Sequence, residues 1–171
     1  MKSHMSSLCS MDSPKQVATQ AGQEWAIPDT GSFAGLYRMA PPMRVHMVRE
    51  GAPPDFLKVL SSRTGIARET LYAALGLAPS TMKRKLSRHQ SLSPDESERA
   101  LGVARLIGQV ESMVEQSSNA ENFDAAAWLG RWLERPNPAL DAARPVDYLD
   151  TADGRQMIAD LLARMQSGAY S

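Results

Sequence analysis

Between Pro79 and Gln90 the chain reads Pro-Ser-Thr-Met-Lys-Arg-Lys-Leu-Ser-Arg-His-Gln, with four Lys/Arg and no acid. Cations beside small hydroxyls at the start of a helix are suited to phosphate rather than to bond-breaking. Ser80 and Thr81 can meet base edges or phosphates at the N-terminal end, where the helix dipole favours an anion. Lys83, Arg84, Lys85 and Arg88 can neutralise phosphates, and Arg84 can read a guanine. The competing reading is a solvated basic face, which surface helices often carry. Two features favour nucleic acid: the segment falls where the second helix of a helix-turn-helix belongs, and its region is strongly basic.

Catalytic constellations are missing. His4, His46 and His89 stand far apart, and no Cys/His cluster has metal-ligand spacing. The eleven glycines are dispersed, so no phosphate-cradling loop forms, and no Ser or Cys occupies a nucleophile elbow. Asp147, Asp150 and Asp153 fit capping and turns better than acid–base work. Neither an enzyme nor a cofactor is expected. The single cysteine, Cys9, lies in a Ser-rich stretch and can form no internal disulfide.

The elements that must position the basic segment are helical. Phe56, Leu57, Val59 and Leu60 start a helix after Pro53-Pro54 that ends near Gly65. Arg68 to Leu75 forms the next, with Leu71, Tyr72 and Leu75 inward. Gly76 turns the chain, and Pro79 opens the basic helix, with Met82 and Leu86 inward. Ser93-Pro94-Asp95-Glu96 is a capping box with Pro at the first position, and it predicts a long helix over residues 94–117. Its apolar stripe is Val103, Leu106, Ile107, Val110, Met113 and Val114. Asn122 is expected to cap a helix running to Glu134, and Arg135 before Pro136 to end it. A turn-rich connector follows, with a short helical piece at Pro145–Leu149. Asp150 or Thr151 caps the last helix, where Ile158, Leu161, Leu162 and Met165 form one face. Met43–Arg49 alternates weakly and reads as a short strand or lead-in.

Charge divides the chain although its net value is zero. Residues 41–90 hold nine Lys/Arg against three Asp/Glu, a balance of +6, whereas residues 91–171 hold seven against thirteen, a balance of −6. Two halves of opposite sign imply two different partners. No signal segment and no run of about 18 apolar residues is present, so a cytosolic protein is expected. Met1 to Met5 reads as a cloning remnant before a second start methionine. The expected organisation is all-α: a flexible extension over 1–40 whose Trp25, Phe33 and Tyr37 allow local docking, a helix-turn-helix module over 41–92, a long connecting and dimerisation helix over 93–119, and a helical C-terminal domain over 120–171.

Three C-terminal elements occur in order: Trp128-Leu129 with Pro136-Asn137-Pro138-Ala139-Leu140, then Pro145-Val146-Asp147-Tyr148-Leu149-Asp150-Thr151-Ala152-Asp153-Gly154, then Leu161-Leu162-Ala163-Arg164-Met165-Gln166-Ser167-Gly168-Ala169-Tyr170. Over roughly its last 50 residues the chain resembles the toxin-binding domain of the MbcA/ParS/Xre antitoxins. Leu75 to Leu86 is similar to the helix-turn-helix core of Xre-type antitoxins, with Ala78 where a capping Ser is common. The resemblance implies an inhibitor that binds a Res-domain toxin consuming NAD, with the last helix and tail reaching its active site. Ser167, Gly168, Ala169, Tyr170 and Ser171 would form that tail, small enough for a narrow cleft and ending in a carboxylate. The competing reading of those residues is a frayed terminus. Arg164 is either a toxin contact or a last-turn cation favouring the helix dipole. Trp128, Trp132, Leu140 and Tyr148 read as core, and Asn137 as a turn residue. Where the family has a Gly pair after Ala-Leu, Asp141-Ala142 stand here, which leaves the shape of that turn open. The expected partners are a Res-type toxin, operator DNA bound as a repressor, and a second copy of the chain, with no membrane. The rival class is a free-standing helix-turn-helix regulator with a dimerising or sensing C-terminal domain, and in a third reading the basic module only assembles.

Overall fold

A computed structural model describes residues 31–117 and 122–167, and among these the regular structure is helical throughout. The helices are α1 (Ala34–Arg38), α2 (Pro41–Glu50), α3 (Asp55–Thr64), α4 (Arg68–Ala74), α5 (Pro79–Ser87), α6 (Pro94–Glu115), α7 (Ala125–Leu133) and α8 (Ala152–Gln166). Two 3-10 turns, Pro138–Leu140 and Pro145–Tyr148, lie between α7 and α8. The all-α architecture expected from the periodicity is present, with α6 as the shared axis.

The capping box forms as its residues dictate. Ser93 accepts from the Glu96 N–H while the Glu96 carboxylate accepts from the Ser93 N–H. The helix this starts buries Leu101, Val103, Ala104, Leu106, Ile107 and Val110, against which α1, α2, α3, α7 and α8 all pack. The Leu, Val and Ile side chains among them each contribute about 1.5–3 kcal/mol on leaving water, so this helix is a large source of cohesion. Three polar ties fix its neighbours. Arg155 on α8 donates to the Leu149 carbonyl and to Glu98, both at 2.8 Å. Gln109 donates to the Ala159 carbonyl at 2.9 Å. Ser97 accepts from the Ala52 N–H at 2.8 Å.

Several expectations are corrected. Met43–Arg49 belongs to a helix, because Pro41 and Pro42 supply its first turn and Met47 anchors it against the core. The described end of the N-terminal extension is also helical. Phe33 is fully buried, and Glu111 accepts from the Phe33 and Ala34 N–H groups and the Ser32 hydroxyl, so a carboxylate from α6 caps α1. Residues 1–30, with Trp25, lie outside the described residues. The helix before Arg135 is capped by Asp124, which accepts from the Ala127 N–H, and not by Asn122. Met165, expected on the inner face of α8, is exposed.

The turn after Leu140 keeps a left-handed backbone without glycine. Asp141 and Ala142 have φ of 52° and 62°. Asn137 holds it: its side chain accepts from the Ala139 N–H, its carbonyl from the Ala142 N–H, and its own N–H donates to the Ala143 carbonyl. A second glycine position is set by close approach. A Cβ on Gly130 would lie 1.9 Å from the Thr64 carbonyl, so α7 rests on the end of α3 only because that residue has no side chain.

Candidate functional site

The basic helix is positioned from both ends. Gly76, at φ +61°, turns the chain between α4 and α5, and its N–H donates to the Ala73 carbonyl while the Leu77 N–H donates to the Tyr72 carbonyl. Arg99 reaches from α6 to the Leu75 carbonyl at 3.0 Å and the Gly76 carbonyl at 3.4 Å, so the turn is clasped by the long helix. The sequence reading missed Arg99, because an arginine on the flank of an amphipathic helix looks like any solvated cation. Met82 then buries against the core and fixes the rotation of α5.

That rotation divides the proposed DNA-contacting residues. Ser80, Lys83, Arg84 and Arg88 are exposed and Thr81 is half-buried. At about 100° per residue, Lys83, Ser80, Arg84 and Arg88 fall on one side of the helix. Ala78 provides no side-chain cap, so the first turn of α5 ends without one at the site where a phosphate would sit. Lys85 is the correction. Its side chain points inward, 9% exposed, and its ammonium bonds Glu96 at 2.6 Å and the Ser91 carbonyl at 3.2 Å. A phosphate cannot reach it without breaking that pair. Leu86, placed inward from sequence, is half-buried.

At the other end of the molecule, Arg164 and Ser167 are exposed on the last turn of α8, and the Ser167 hydroxyl donates to the Arg164 carbonyl at 2.9 Å. Gly168, Ala169, Tyr170 and Ser171 lie outside the described residues. The sequence reading missed the apolar surface beside this turn. Phe123 and Met165 are exposed, Trp128 is half-buried, and with Val110, Met113 and Leu162 they line a hollow of about 210 Å³. Phe123 packs 6.1 Å from Trp128, which stacks 6.1 Å from Trp132 at 13°. These tryptophans pack against the core, as the sequence reading expected, and are half-buried. The expected Leu140 is buried and Tyr148 half-buried.

Two surfaces of different chemistry therefore sit on one α6 axis: a cationic helix face and an aromatic-apolar end. Comparison with known proteins places the two parts of the chain that carry them in known domains. Residues 43–105 match the antitoxin Xre-like helix-turn-helix domain, and residues 120–168 match the antitoxin Xre/MbcA/ParS C-terminal toxin-binding domain. The chain belongs to the Xre/MbcA/ParS antitoxin family. A Sphingobium protein named "Prs ADP-ribosylating antitoxin" is 38% identical over 140 residues, 82% of this chain and 88% of the relative. Proteins named "Antitoxin Xre" are 25% identical over 52% of this chain and 50% of the relative in Pseudomonas putida, and 21% identical over 74% and 80% in Yersinia enterocolitica.

This antitoxin thus carries a helix-turn-helix domain and a toxin-binding domain. Family membership separates it from the free-standing regulators with which its basic helix alone would group it. Among the described residues no cluster of His, Cys, Asp and Glu could hold a metal ion, and no helix is long and apolar enough to cross a membrane.

Proposed function

We propose that this antitoxin neutralises an NAD-consuming Res-type toxin by covering its active site with α8 and the tail Ser167–Ser171. The observation that carries this reading is where the toxin-binding domain ends. Its last described turn presents Arg164 and Ser167 to solvent beside the exposed Phe123 and Met165. The aromatic-apolar hollow docks the partner, and the tail, leaving α8 at its edge, enters the catalytic cleft with Tyr170 as a rigid anchor. An NAD pocket must hold an anionic dinucleotide on cationic donors, which an inserted segment covers. The name of the Sphingobium relative supports a toxin of this chemistry, since ADP-ribosyl transfer consumes NAD. The acidic balance of residues 91–171 favours a partner with a basic cleft.

The same chain binds its own operator through Ser80, Thr81, Lys83, Arg84 and Arg88 and represses transcription from it. It acts in the cytoplasm as a homodimer, because a two-fold operator takes two reading heads. Co-purification with the neighbouring gene's product, followed by an assay of NAD loss with and without the antitoxin, tests the inhibitory half. A gel shift on the operon's promoter tests the repressor half.

A further inference from the structure

A third surface belongs to neither partner face. The side of α6 between α2 and α8 opens as a cleft of about 790 Å³, within the roughly 300–1,000 Å³ typical of small-molecule sites. Its walls are partly apolar, with Val45 and Val48 from α2 and Leu101 and Leu106 from α6. The ionisable groups facing it are Arg44, Arg49, Arg105, Arg155, Glu98, Asp160 and Tyr37. Four arginines against two carboxylates leave +2.

Most of these groups are already engaged. Arg155 is bound to Glu98 and the Leu149 carbonyl, Asp160 accepts from Gln156, and Arg44 donates to the Met39 carbonyl. Arg105, a half-buried lining residue on α6, is different. Its Nε is buried with no hydrogen-bond partner among the described residues, and it makes no ion pair with them. Burial, then the nearby Arg44 and Arg155, press its pKa down, with Tyr37 opposing. A guanidinium left with a buried donor and cationic neighbours is short of an anion.

We propose that this cleft binds a small phosphate-bearing anion, seated on Arg105 with Arg44 and Arg49 closing over it from α2. The concave shape favours a small ligand over a flat protein partner. Planar guanidinium forks match phosphate oxygens two at a time. The apolar walls leave room for an attached organic group, so the phosphate belongs either to a free inorganic anion or to a nucleotide. Such a ligand would bridge α2 of the DNA-binding module to α8 of the toxin-binding domain.

The full-length antitoxin is titrated with pyrophosphate, ADP and adenosine at fixed ionic strength, following thermal midpoint and heat of binding. The expected result is a saturable shift with pyrophosphate and ADP, none with adenosine, and a loss of roughly tenfold or more in affinity in Arg105→Gln and Arg44→Gln. ADP binding tightly above pyrophosphate assigns a nucleotide, and equal binding assigns an inorganic anion. Arg105→Lys, which keeps the charge without the fork, provides a second variant should the glutamine lose its native circular dichroism. Lys83→Ala/Arg84→Ala should bind as wild type, which separates this site from the DNA face. Absence of any saturable shift at millimolar anion, or unchanged binding in folded Arg105 variants, overturns the proposal. So does a change in sedimentation of Arg105→Gln without anion binding by the wild type, since that places a second chain's carboxylate in the cleft.

Discussion

Lys85 on α5 and Glu96 on α6 form an ion pair at 2.6 Å, their side chains 9% and 16% exposed. Glu96 is also the carboxylate of the capping box that starts α6. One carboxylate therefore closes the long helix and locks the basic helix onto it. Lys85 is thereby a structural cation inside a basic run, between Arg84, which is exposed, and Leu86, which is half-buried.

Substitutions along this run should separate binding from stability. Lys83→Ala/Arg84→Ala should abolish operator binding in a gel shift while leaving the urea midpoint unchanged. For every phosphate no longer neutralised, the log–log salt slope should shrink by about 0.9. Lys85→Ala should instead lower stability by about 2 kcal/mol. That is less than the roughly 3–5 kcal/mol of a fully buried pair, because Glu96 keeps some solvent. A Lys85→Ala protein as stable as wild type would remove the structural role.

The same pair sets an acid response. Burial alone would raise the Glu96 pKa, but the Lys85 ammonium and the Ser93 N–H together bring it below its ordinary value of 4.5. A lowered pKa in the folded state means stability that is full above that value and lost as pH falls below it. Unfolding followed by urea between neutral pH and pH 3 should show this loss, and Glu96→Gln should flatten it.

Gly130→Ala should be costly although alanine is the better helix former. The added methyl group meets the Thr64 carbonyl, a backbone atom that cannot swing away. Forcing α3 and α7 apart is expected to cost about 1–3 kcal/mol, read as a lower denaturation midpoint.

Ala142→Gly should act in the opposite direction. Ala142 holds φ of 62°, where an L-residue is disfavoured by roughly 1–2 kcal/mol, and glycine is not. Because the unfolded glycine chain gains entropy, the net gain expected is below about 1 kcal/mol, visible as a modest rise in thermal midpoint.

The fold was largely legible because its signals are local. Pro79, Pro94, Ser93, Gly76 and Thr151 mark helix boundaries by chemistry that acts within a turn, and the apolar spacing of α6 and α8 marks their inner faces. What stayed hidden depends on packing between distant segments. Glu111 capping α1, Asp141 and Ala142 held left-handed by Asn137, and Arg99 clasping the Leu75–Gly76 turn leave no periodic trace. Lys85 shows the same limit at the candidate site. Its neighbours in sequence are exposed cations, and only the position of Glu96 eleven residues later, folded back against it, turns it inward. The apolar hollow was missed because its residues come from α6, α8 and the stretch around Phe123, which meet only in the folded chain.

Under the proposed mechanism, residues 167–171 obstruct a toxin's catalytic cleft. The most direct test is NAD loss catalysed by the purified cognate toxin in the presence of full-length antitoxin or of a chain lacking residues 167–171. The full chain is predicted to stop NAD loss, whereas the shortened chain should still bind operator DNA but leave the toxin active. Equal inhibition by the two chains would contradict the claim.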